Sequence, residues 1–178
     1  MTARAMLRVA LVIFIVVMVQ QTVMIALRIG GAHPDLIWLL PITAALLDGP
    51  ETGAIVGFWA GLVFDLVLPT PFGLSALVGC LLGYATGSLT AAMDPRTTWL
   101  KPVAALAGSV AADMLFAVLG AILGQGQMVQ IDFVALFLVV GISSVVLVLP
   151  VNRLMRWALA GESHRRSLVP AQADSRVW

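Results

Sequence analysis

Long apolar runs separated by short polar or proline- and glycine-rich breaks divide the chain into six segments. The runs predict helices at about 9–29, 34–47, 53–68, 73–93, 102–123 and 131–149. In the first, Gln20, Gln21 and Thr22 form a polar notch past the midpoint, expected to face protein. The second is short and carries Pro41, which predicts a kink. Asp48-Gly-Pro-Glu-Thr-Gly then reads as a turn with two acids, and Pro69 and Pro71 close the third helix. Asp94-Pro95-Arg96 opens a loop that reaches Lys101-Pro102, and Gly124-Gln-Gly-Gln marks the turn before the sixth run. A continuation of that run past Pro150 would be amphipathic, with Arg153, Arg156 and Trp157. The expected organisation is a transmembrane domain over 1–160 and a polar, disordered cytoplasmic tail over 161–178.

Glycine spacing singles out the third and fourth segments. Gly53, Gly57 and Gly61 stand four apart, and Asp65 takes the next place in the series. On a helix these four share a face, and such a face lets another backbone approach closely. Gly79, Gly83 and Gly87 repeat the pattern, with Ser75 and Ala91 extending it. Packing between the two helices is the simplest reading; a second copy of the chain or another membrane helix is the other class of neighbour the face admits.

Composition fixes the class. The chain has 178 residues, 61% hydrophobic and 11% charged, with a mean hydropathy of +1.03, against roughly 25% charged residues in soluble domains. This is a polytopic membrane protein, with room for five or six crossings and no sizeable soluble domain. The net charge of +1 gives no reason to expect nucleic acid. Arg4 and Arg8 before an apolar run resemble the start of a signal peptide, but the run reaches Leu27, and Arg28 follows where small residues would be needed. A retained first helix is therefore expected. With six crossings and both termini cytoplasmic, Arg4, Arg8, Arg96, Lys101, Arg153, Arg156, Arg165, Arg166 and Arg176 lie inside and only Arg28 lies outside. The basic rim also lies where anionic lipid would be.

Few residues carry candidate chemistry. An acidic side chain in an apolar span is costly, so it usually has a partner or a purpose. Asp65 has two readings of equal weight: an ion pair with Arg28, or contact with interfacial water and backbone groups near Pro69. Asp113, at the middle of the fifth segment on a stripe with Ala105, Ser109, Ala117 and Ala121, reads as a structural or partner contact ahead of a small-molecule or ion contact. Cys80 is alone in an apolar run, and His33 and His164 fall on opposite sides, so no metal or cofactor is expected. Gly73-Leu-Ser75 is half of a hydrolase elbow without an intramembrane histidine. Asp48-Gly49 with Gly61-x-x-x-Asp65 shares part of the metal-site pattern of membrane CDP-alcohol phosphotransferases, but Pro69 stands where the next aspartate belongs. Catalysis is not expected.

The order Asp-Gly-Pro-x-x-Gly from Asp48, Gly-Phe-x-x-Gly-Leu-x-x-Asp from Gly57, Gly-Leu-x-Ala-Leu from Gly73, then Tyr84 and Gly87, resembles the rod shape-determining protein MreD family. The match concentrates between about Pro41 and Gly87, and the length and helix number agree over the whole chain. The resemblance implies a non-enzymatic subunit of the bacterial inner membrane. It would bind the single-span protein MreC and, through it, help MreB, RodA and penicillin-binding synthases build lateral cell wall. It also implies an all-α bundle of six transmembrane helices similar to the substrate-binding subunits of energy-coupling-factor vitamin transporters. That similarity supplies the alternative function, binding a small molecule such as a vitamin. Those subunits typically carry alanines four apart on their first helix, whereas Ala5, Ala10 and Ala26 here are not so spaced.

Overall fold

The computed structural model describes residues 3–24, 36–67, 71–91, 100–124 and 142–160. These residues form six helices, and no strand is present among them. Helix α1 (Ala3–Val19) runs on as a π-helical turn over Gln20–Met24; α2 spans Leu39–Asp48, α3 Pro50–Asp65, α4 Leu74–Ala91, α5 Leu100–Ile122 and α6 Ile142–Leu159. Among the described residues the protein is thus all-helical. Among the described residues three stretches are long and apolar enough to cross a membrane: Ala3–Thr22, Leu74–Ala91 and Pro102–Ile122.

The shortest helix lies at the centre. Every residue from Leu36 to Ala45 is buried, and α2 touches α3, α4, α5 and α6. A helix apolar on all sides has no face to give to water, so its place is inside the bundle. Its one polar side chain in that stretch, Thr43, donates its hydroxyl to the carbonyls of Leu39 and Leu40, at 2.6 and 3.1 Å, and so needs no outside partner. Pro41 falls in the first turn of α2, where its missing N–H removes no intrahelical bond. Because the helix begins at Leu39, the proline stands in its first turn and not in its interior, where it would have forced a kink.

A single residue, Gly49, joins α2 to α3. Its φ of 93° and ψ of −179° belong to a region that only glycine enters readily. The Gly49 N–H closes α2 on the Ala45 carbonyl at 2.9 Å, and Pro50 supplies the preset φ that starts α3. This is why α3 begins at Pro50 rather than at Gly53. The Thr52 hydroxyl donates to Asp48 across the corner at 2.7 Å. The two helices fold back on each other as a tight αα-hairpin.

Helices α1, α5 and α6 close the bundle around this centre. Val9, Val12, Ile13, Val16 and Val17 turn inward from α1, and Val148, Val151 and Met155 do so from α6. Helix α6 passes through Pro150 without ending and includes the arginine-bearing turns, where the apolar run alone had placed the end at Leu149. The first part of that run, 131–141, lies outside the described residues, as do Arg28, His33, Arg96 and the tail from 161. On the outside, Leu7, Leu11 and Phe14 of α1, Phe58 and Trp59 of α3, Leu81 and Tyr84 of α4, and Val118 of α5 are exposed. Such an apolar exterior suits hydrocarbon rather than water.

Candidate functional site

The glycine faces of α3 and α4 meet each other, in antiparallel register, within the one chain. Gly53 lies against the Gly83 carbonyl, Gly57 against Gly79, and Gly61 against Ser75. A Cβ built on Gly53 would stand 2.8 Å from the Gly83 oxygen, and one on Gly79 would stand 2.5 Å from the Gly57 oxygen. Backbone touches backbone along the seam. Gly87 continues it against Pro50, with the nearest nitrogen 2.6 Å from such a Cβ. Helix α2 presses on the same side of α3: a Cβ on Gly53 would be 2.6 Å from the Ala45 Cβ, and one on Gly57 would be 2.9 Å from the Pro41 Cβ. Inside a bilayer lipid tails are as apolar as leucine, so helices associate through such close packing rather than by escaping water.

Asp65 closes the seam. Its side chain accepts the N–H groups of Gly73, Ser75 and Ala76 at 2.9, 3.1 and 3.3 Å, which are donors of the first turn of α4 and the residue before it. The first N–H groups of a helix have no intrahelical acceptor, and a carboxylate there satisfies them and meets the positive end of the helix dipole. The residue is 4% exposed, so the acceptor matters. The four-residue series on α3 that brings Gly61 to Ser75 brings Asp65 to the start of α4. Of the two readings of this residue, the backbone one is what the structure draws, with the groups located on α4 rather than at Pro69. The other reading involves Arg28, which lies outside the described residues.

Asp113 of α5 takes the indole N–H of Trp38 at 2.6 Å. Trp38 itself is 3% exposed and its ring meets Phe116 of α5 at 6.2 Å. The bond ties the residue just before α2 to the middle of α5, across 75 positions of sequence. Gln20, where α1 passes into its π-helical turn, accepts the N–H of Leu36 at 2.8 Å and is 3% exposed. Of the notch residues, Gln20 is buried, Gln21 half-buried and Thr22 exposed, with its hydroxyl returned to the Met18 carbonyl at 2.8 Å. Sequence reasoning did not find Trp38, Leu36 or the Ala45–Pro41 edge of α2 as members of this network. No local pattern marks them, because each acts on a segment remote in sequence.

The gathered residues hold helices together: two glycine rows, one helix cap and two long-range hydrogen bonds to the residues just before α2. Among the described residues no three His, Cys, Asp or Glu side chains come together in a way that could hold a metal ion. Asp65 and Asp113 lie on separate helices, each engaged with a different part of the chain.

Neither any curated protein nor any solved structure shows significant similarity to the chain. The model of one family, rod shape-determining protein MreD, matches residues 3–158. That span runs from the first residue of α1 to the last turn of α6, and so takes in the glycine seam, its Asp65 cap and the buried α2. On this match the chain belongs to the MreD family and is a rod shape-determining membrane protein.

Proposed function

We propose that the chain is a rigid membrane scaffold of the bacterial cell-elongation complex, which binds an MreC-like single-span protein and helps organise lateral peptidoglycan synthesis. MreB, RodA and a penicillin-binding synthase would be reached through that partner. The carrying observation is that the family match covers the whole described bundle, and not only the glycine-rich block. The way the bundle is built supports the reading. Its centre is occupied by α2, and its conspicuous residues lock helices to one another. The glycine rows of α3 and α4 are covered from within, so a partner helix would meet the outer surfaces, where Phe58, Trp59, Leu81 and Tyr84 are exposed.

In this reading the chain crosses the inner membrane six times with both termini in the cytoplasm. The nine-to-one distribution of basic residues supports it, as does the meeting of the start of α1 with the end of α6, where Arg8 lies 5.2 Å from the Trp157 ring centroid.

The test is purification of the tagged chain from its native membrane in mild detergent, with mass spectrometry of what accompanies it. A single-span protein with a periplasmic coiled coil, together with wall synthases, is the expected company. Energy-coupling ATPase subunits or a tightly held vitamin would overturn the scaffold reading and turn attention to the bundle interior.

A further inference from the structure

We propose that the seam where the start of α1 meets the end of α6 binds the phosphodiester headgroup of an anionic phospholipid. Arg4 and Arg8 stand four apart on α1, and Arg153 and Arg156 stand three apart on α6. Like charges at these spacings share a helix face and repel each other. The Arg8 guanidinium lies over the Trp157 ring at 5.2 Å from its centroid, which brings the basic end of α1 against the basic end of α6. Neither helix carries an acidic residue; the described acids are on α2, α3 and α5. Arg4 adds a further mismatch, since it sits in the first turn of α1, where the helix end is itself partly positive and disfavours a cation. An anion held where these two basic ends meet lowers the repulsion there.

The surroundings select a lipid over a free anion. Arg4, Arg153 and Arg156 are exposed, and beside them Met6, Leu7 and Leu154 are exposed as well, Leu7 by 74%. Guanidinium groups next to bare apolar side chains match a phosphate joined to acyl chains; a hydrated ion gains only from the former. Arginine is suited to the role because its planar fork grips two phosphate oxygens at once, and a guanidinium over an aromatic ring can still donate its N–H groups to an anion. The site needs only that this end of the bundle lies at a membrane surface, and it stands or falls apart from the scaffold role.

The experiment uses the purified full chain in neutral detergent, with dioleoylphosphatidylglycerol titrated against dioleoylphosphatidylcholine and bound lipid counted by native mass spectrometry. One phosphatidylglycerol is expected to be retained at concentrations where phosphatidylcholine is lost. The Arg153→Gln/Arg156→Gln variant is expected to weaken that retention about 25-fold, the factor that two charges near an anionic surface carry. Both side chains are exposed, so the variant keeps its fold. Trp157→Phe, which keeps a ring, should bind as the parent does, and Trp157→Ala should bind several-fold less. Equal retention of the two lipids, unchanged binding in the double arginine variant or in Trp157→Ala, or displacement of the lipid by equimolar inorganic phosphate would each overturn the proposal.

Discussion

Asp65 shows how one side chain decides a junction. With Ala in its place, three N–H groups at the buried start of α4 lose their acceptor, and nothing on α3 can replace it. Asp65→Ala should lower stability by about 2 kcal/mol, the upper part of the range for a lost helix cap, measured by titrating the purified chain with denaturing detergent. Asp65→Asn keeps one oxygen acceptor and should lose less than half as much. An equal loss in Asn and in Ala would mean that the residue acts by its charge, as a pair with a cation, and not as a cap. This distinction could not be read from the sequence. The four-residue spacing puts Asp65 on the glycine face, but whether its neighbour is an arginine or a helix end depends on how α4 is placed against α3.

At the scale of elements, what matters about each glycine is the kind of atom it touches. Gly79 faces the Gly57 carbonyl, which is backbone and cannot move without parting the helices. A Cβ on Gly108 of α5 would stand 2.7 Å from the Ile42 Cδ1 and 3.6 Å from the Leu82 Cδ1, both ends of flexible side chains. Gly79→Ala should therefore cost about 2 kcal/mol, within the range for overpacking, while Gly108→Ala should cost distinctly less. Ile42→Val, which removes that Cδ1, should restore Gly108→Ala and leave Gly79→Ala unrepaired; thermal unfolding of the four variants checks the pattern. Gly49 is a third case, with open space around it and a φ of 93°, so its cost on substitution is backbone strain and not contact. All three residues are glycines in an apolar sequence. Periodicity marks the seam glycines as a set, but Gly108 and Gly49 differ from them only in what the fold brings near.

The whole molecule poses the question of depth. Helix α2 has 10 residues, about 15 Å of rise, against a hydrocarbon core of about 30 Å. Six full crossings would carry the α2–α3 corner to the cytoplasmic surface with the help of the residues just before α2. A Glu51→Cys label site on a Cys80→Ser background tests this, because Glu51 is exposed at that corner. Labelling from the cytoplasmic side by a membrane-impermeant maleimide is expected, and a C-terminal fluorescent fusion should fold in the cytoplasm. Protection from the reagent on both sides would make α2 and α3 a hairpin buried within the bilayer. The basic-residue count cannot decide between these outcomes, since a hairpin and two crossings leave the later loops on the same side.

What the sequence determined by itself was the membrane class, the helical character of the described residues, the two glycine rows and the family likeness. These follow from hydropathy and fixed spacing along one helix, which are local properties. Only the tertiary structure decided that the seam is filled within the chain, that Asp65 caps α4, that Trp38 answers Asp113, and that the shortest helix is the centre. Each of these is a meeting of segments far apart in sequence or of one helix face with another, and short-range spacing carries no information about which faces meet.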